Sequence, residues 1–219
     1  MLALAGPAEA APEAPSCALR LAEVARYTPQ LPREEPAECA VDDLMRLDQV
    51  IMPDRSVVTF NPPPTVRCVM AEAVAHWLRT DVAPLAAGLG APLNAVSALD
   101  AYDCRPRNRV VGAKISEHGK GNALDVGSVK LRNGGVFNLT DPLVDKPFRE
   151  AMRVSACARF TTVLGPGSDG YHNDHIHLDL AERSRGYRIC QWDVRDPAPD
   201  VPLPRGKPAE LIALQAKSR

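Results

Sequence analysis

The feature that most constrains this chain is the segment His172-Asn173-Asp174-His175-Ile176-His177. A strand sends alternate side chains to opposite faces, so His175 and His177 share one surface while Ile176, Leu178 and Leu180 face a core. Earlier in the chain stands Ser116-Glu117-His118-Gly119-Lys120-Gly121-Asn122-Ala123-Leu124-Asp125. There a Gly-rich turn follows His118 and Ala123 to Val129 reads as a strand, which is expected to let His118 and Asp125 converge across the bend.

The residue types point to zinc. A zinc ion held by three imidazole and carboxylate ligands keeps a fourth position open and makes hydroxide available near neutral pH, which suits hydrolysis of amides or esters. A single histidine is more often a hydrogen-bonded core residue. Four of the chain's five histidines fall in these two segments, however, and it is that clustering which favours a site. The fifth, His76, lies on an expected helix, off its apolar stripe and with no second ligand type at helical spacing, so it reads as structural or exposed.

Six cysteines, Cys17, Cys39, Cys68, Cys104, Cys157 and Cys190, form an even, widely spaced set with no C-x-x-C pair. That argues against a zinc ribbon and for disulfides in an oxidising compartment, against the alternative of six buried thiols in the cytosol. Six cysteines allow fifteen pairings. Sequential pairing is the expectation: Cys17 with Cys39, Cys68 with Cys104, and Cys157 with Cys190. Residues 1–16 hold a short apolar run and Ala8-Glu9-Ala10, an A-x-A pattern of the kind signal peptidase cuts, without a positive n-region; they read as a signal remnant or a disordered N-terminus. A net charge of -1, with charges mixed along the sequence, offers no basic face for nucleic acid. No other stretch approaches the roughly 18 apolar residues of a membrane span. Export to the periplasm or cell envelope and a monomeric state follow as expectations, with one domain over residues 17–194 and a Pro-rich tail over 195–219.

Periodicity gives the elements. Residues 17–52 show no clean alternation and are expected to be irregular with short strands. Val57 to Phe60 is a strand, and a helix is expected from a Thr65 cap to near Pro84, with a short continuation before Gly88. Asn94 to Leu99 is a strand leading into a loop that carries Arg105, Arg107 and Arg109. A guanidinium there suits a carboxylate or a developing oxyanion, while a solvated basic loop is the plainer reading, favoured for Arg107 and Arg109. Asn133-Gly134 marks a hairpin returning through Val136 to Leu139. Asp145 caps a second helix running to about Phe160, Thr161 to Leu164 is a strand, and the Gly-rich loop 165–170 forms one rim of a cleft.

At its ligand-type motifs the chain resembles the LAS-type zinc peptidases, which include D-Ala-D-Ala carboxypeptidases and penicillin-insensitive murein endopeptidases. Ser116-x-His118-x-x-Gly121-x-Ala123-x-Asp125 followed by His175-x-His177 is similar to their signature, and His172-x-x-His175-x-His177 resembles the murein endopeptidase branch. Over most of Cys17 to Cys190, including Arg67-Cys68, Tyr102-x-Cys104-Arg105 and Asp174-His175, the chain looks like the bacterial extensin-like C-terminal family of the same group. The resemblance implies His118, Asp125 and His177 as zinc ligands and His175 as the residue beside the open position. In related carboxypeptidases a glutamate upstream of the last ligand is the general base, and His172 to His177 contains none. His175 is then the first candidate, His172 the second and Glu117 the third, since an imidazole titrates near working pH. Tyr102 and Arg105, matching the family's Tyr-Arg element, would bind substrate, and Arg105 would bind substrate or the oxyanion. Ser116 would support the first ligand or touch substrate, while Asp174 and Asp179 would orient imidazoles.

Taken together, the expectation is an α+β domain, stapled by disulfides, with a small antiparallel sheet bearing the zinc site and helices packed on the other face. Its expected activity is zinc-dependent hydrolysis of amide bonds in peptidoglycan. The alternatives are a zinc-containing wall-binding module without turnover, and a zinc hydrolase acting on another amide or ester.

Overall fold

The computed structural model describes residues 16–31 and 36–197; the expectations for 1–15 and 198–219 lie outside the described residues. A ten-stranded sheet runs in the order β1 (Ala25–Pro29), β2 (Leu44–Ile51), β3 (Val57–Asn61), β5 (Leu93–Asp100), β6 (Ala123–Leu131), β9 (Ile176–Asp179), β8 (Thr162–Leu164), β10 (Ile189–Gln191). Off this path, β4 (Thr65–Arg67) pairs with β2 and β7 (Val136–Asn138) with β6. The α+β class is as expected, but the sheet is large and mixed instead of small and antiparallel: β3–β5 and β8–β10 are parallel. A parallel neighbour needs a crossover, and the segment after the proline run supplies it between β3 and β5.

That crossover begins later than expected. Thr65 and Val66, both β-branched, extend beside Arg46 and Met45 as β4, and helix α2 runs Cys68–Trp77. It passes through a π-helical turn, Leu78–Val82, into α3 (Ala83–Ala87). Pro84 falls directly after this π-helical turn, at the start of α3, where the helix changes its hydrogen-bond pattern. The expected irregularity of residues 17–52 is also corrected. Cys17–Val24 forms α1 and Leu44–Ile51 is a full strand. Alternation fails in β2 because Leu44, Met45, Leu47 and Val50 are all buried; α1 is only two turns long, and its inward residues Leu21 and Val24 hold it through tertiary contacts.

Helix α4 (Lys146–Arg159) starts where expected, the Asp145 carboxylate accepting the Phe148 N–H at 2.8 Å. Its Met152 and Ala156 join Met70 and Trp77 of α2 and the inward residues Leu124, Val126, Ile176 and Leu178 of β6 and β9 in one core. Burying each Leu, Ile, Val or Met side chain among them stabilises by about 1.5–3 kcal/mol. Helices therefore cover the sheet face carrying Ile176 and Leu178, and the alternate residues face away from them.

The disulfides correct two of three expected pairings. Cys17 bonds Cys68 and Cys39 bonds Cys104, while Cys157–Cys190 is as expected. Space, and not sequence order, decides the first two. Helix α1 packs on α2, where Arg20 grips Glu72 through two bonds of 2.7 and 2.8 Å. The turn Ala37–Cys39 lies against the loop leaving β5, where the Tyr102 hydroxyl donates to the Cys39 carbonyl at 2.8 Å.

Candidate metal centre

Three stretches bring the donors together. His118 opens a short 3-10 turn, His118–Lys120, which ends at Gly121 with φ +63. A side chain is disfavoured there twice over: the left-handed backbone suits glycine, and a Cβ would lie 2.7 Å from Leu44 Cδ2 and 3.2 Å from the Arg67 nitrogen. The turn delivers the chain into β6, whose antiparallel register against β9 sets Asp125 directly opposite His177 and Leu124 opposite Leu178. Asp125 and His177 thus share the face away from the core, and His118 reaches them from the turn.

His118, Asp125 and His177 are all buried and form a group able to hold a metal ion. Asp125 Oδ1 is 2.8 Å from His177 Nδ1 and 3.2 Å from His118 Nε2, and the two nitrogens are 3.1 Å apart. Donors about 2.0–2.1 Å from a tetrahedral zinc stand about 3.3–3.4 Å from one another, so the triangle is close to the required size. The outer contacts fix the tautomers. His118 Nδ1–H donates to the Ala101 carbonyl at 2.6 Å, an oxygen that can only accept. His177 Nε2–H donates to Asp179 Oδ2 at 3.1 Å. A neutral His118 therefore presents its lone pair at Nε2 and a neutral His177 at Nδ1, both toward Asp125 Oδ1. Three acceptors meeting in a buried space call for a cation, and two imidazoles with a carboxylate fit zinc.

The local electrostatics respond to the same crowding. Burial pushes the Asp125 carboxyl up, but the hydrogen bonds and charges of His118 and His177 outweigh it and hold it well below the usual range. Burial lowers His177, yet Asp125 and Asp179 on either side of its ring raise it to about 9. Asp179, buried as well, is kept ionised against its desolvation by His177, by Thr162 and by the Ala181 N–H.

A cleft of about 570 Å³ opens over the triad. His175 and His172, the first two candidates for proton transfer, both line it. His175 Nδ1 pairs with Asp174 at 2.8 Å and its Nε2 lies 3.4 Å from Asp125 Oδ2, so it stands directly beside the triad. The His172 ring lies 5.2 Å from that of His175 and 5.5 Å from that of His177. Its Nδ1 is held by Asp169 at 2.7 Å. Burial pushes His172 below its ordinary value, only partly offset by Asp169, which favours a neutral ring. The Glu117 carboxylate is engaged by Lys120 at 2.6 Å and Asn122 at 2.8 Å.

The substrate-side expectations divide. Arg105 lines the cleft and is held by Asp100 at 2.7 Å and Asp103 at 3.1 Å; the second contact is an ion pair whose angle leaves the buried Nε–H without a hydrogen bond. Ser116 lines it too, its hydroxyl oxygen accepting the His118 N–H at 3.3 Å, a contact that supports the first ligand. Tyr102 does not line the cleft; its hydroxyl donates to the Cys39 carbonyl. His76 on α2 is likewise outside it. Sequence reasoning did not single out Asp169, the Ala101 carbonyl, Thr162 or Arg183. The Asp169-x-x-His172 spacing in a Gly-rich loop was a usable signal for the first, since Asp169 also accepts the Tyr171 and His172 N–H groups. A backbone carbonyl, Thr162 of β8 and Arg183 in the segment after β9 leave no such trace.

Among the described residues no helix is long and apolar enough to cross a membrane, and the three disulfides point to an oxidising, extracytoplasmic location. Neither the curated proteins nor the solved structures include a match to this chain. The profile described as extensin-like protein C-terminus matches residues 15–191, which contain the triad, both flanking histidines and all six cysteines, and the chain belongs to that family.

Proposed function

We propose that this domain is a zinc-dependent peptidase of the cell envelope that hydrolyses amide bonds in peptidoglycan stem peptides or their cross-links. The observation that carries the metal is the meeting of His118 Nε2, His177 Nδ1 and Asp125 Oδ1, the two imidazoles being turned inward by their outer contacts. When bound, zinc supplies a Lewis acid for a carbonyl and lowers the pKa of water to about 7. The chain's own residues do the rest. His175 and His172 line the cleft, each with Nδ1 against an aspartate, and the Nε2 of His175, 3.4 Å from Asp125 Oδ2, is the nitrogen placed to accept or deliver a proton beside the triad. Arg105, its charge balanced by Asp100 and Asp103, lines the cleft as a hydrogen-bond donor toward a carbonyl oxygen that gains negative charge. The substrate class is supported by the resemblance of Ser116 to Asp125 and of His172 to His177 to the LAS-type peptidases, and periplasmic location by the disulfides.

A second reading, a wall-binding module that keeps the metal without turnover, is favoured by the lack of a glutamate in His172 to His177 and by the engagement of Glu117 with Lys120 and Asn122. Metal content of the purified protein beside His177→Ala, with sacculus digestion on the same samples, decides between them. The peptidase reading expects one zinc per chain and soluble products, both lost in the variant. Zinc and sacculus binding without products would establish the module, and a wild type without metal would remove both.

A further inference from the structure

We infer that Arg183 is a specificity residue of this cleft and takes a carboxylate of the substrate. The inference rests on the cleft being the substrate site, as the peptidase reading has it, and not on turnover. Arg183 lines the cleft together with Thr162 and Ile189, which belong to β8 and β10. In the sheet these strands lie on one side of β6 and β9, which carry Asp125 and His177, and β5 with its arginine loop lies on the other. A peptide laid across these strands with its scissile carbonyl at the triad has one end at Arg183.

The charge of Arg183 is set up for a ligand. Its Nη1 donates to the Thr161 carbonyl at 3.2 Å and its Nη2 to the Thr162 hydroxyl at 2.6 Å. Both partners are neutral, and no carboxylate among the described residues pairs with it. Asp179, the nearest acidic group along this contact path, reaches it through Thr162 and is itself occupied by His177 and the Ala181 N–H. A guanidinium has five donors in a fixed fork, so two anchoring bonds orient it and leave the others for a planar anion. The other cleft arginines differ. Arg105 is neutralised by Asp100 and Asp103, and Arg109 by Asp103 at 2.6 Å. Arg107 is exposed, where solvent ions screen it, whereas Arg183 is half-buried. The ligand chemistry is a peptide carboxylate, either the chain terminus or a side chain.

The test uses three acetylated stem peptides: one with free carboxylates, one amidated only at the terminus, one amidated only on the side chain. Binding to the zinc-loaded full chain is measured by calorimetry and product release is followed in the same samples. One of the two amidations is expected to weaken binding to the wild type roughly tenfold or more, and which one identifies the source of the carboxylate. Arg183→Gln is expected to bind all three alike, and Arg183→Lys to keep part of the preference, with zinc content and circular dichroism unchanged. Equal binding of the three peptides by the wild type, no binding of any, or a preference that persists in Arg183→Gln overturns the assignment. Discrimination without products keeps Arg183 as the carboxylate site and removes the peptidase.

Discussion

The Nε2 of His118 and the Nδ1 of His177 lie 3.1 Å apart, and in the neutral rings both are acceptors. Without a metal, a proton on His177 relieves the contact by bonding to Asp125. Burial opposes that proton, but Asp125 and Asp179 raise His177 from its ordinary 6.5 to about 9. A raised basic group contributes stability that is fully present below pH 6.5 and lost as pH rises through about 9. Metal ligation displaces the same proton. Zinc affinity is therefore expected to rise across that window while this contribution to metal-free stability fades, with about one proton released per zinc at pH 7.5. Calorimetric titration in buffers of different ionisation enthalpy measures the release, and zinc uptake without it would contradict this account of the triad.

Asp179 acts on the metal through His177. Asp179→Ala removes the acceptor that keeps the hydrogen on Nε2, so Nδ1 is no longer the assured donor. Loss of such an outer contact typically weakens metal binding about 10–100-fold. Chelator competition should show that loss, and proton NMR of the imidazole N–H should show the His177 tautomer becoming mixed. Unchanged affinity would mean that the β6–β9 register alone positions the ring.

The disulfides should separate by position. Cys39–Cys104 holds the loop whose Ala101 carbonyl fixes His118, whereas Cys157–Cys190 ties α4 to β10. Replacing either pair by alanine is expected to cost roughly 2–5 kcal/mol in urea denaturation. Only the Cys39/Cys104 double variant should also weaken zinc binding. Equal zinc affinity in both would place the support of His118 elsewhere.

Gly121→Ala forces a Cβ into the left-handed turn and against Leu44 and the Arg67 backbone. A loss of about 1–2 kcal/mol comes from the backbone conformation alone, and the contact adds to it. Because this turn joins His118 to β6, zinc affinity should fall with stability. A variant as stable as the wild type would show that the turn has room to adjust.

What the sequence by itself determined is local. Period-two alternation puts His177 on one side of β9 and Ile176 and Leu178 on the other, with His175 just before the strand on the cleft side; Asn133-Gly134 marks the hairpin to β7, and Asp145 caps α4. Each follows from a few neighbouring residues and the geometry of one strand, turn or helix end. Tertiary structure decided the rest, because those contacts join residues far apart in the chain. The packing of α1 on α2 chose Cys68 for Cys17, and the loop after β5 chose Cys104 for Cys39. Parallel pairing put β10 beside β8 and brought Thr162 to Arg183. Above all, the register of β6 against β9 set Asp125 opposite His177; a slip of one residue would oppose Asp125 to a core side chain, and no local pattern fixes that register.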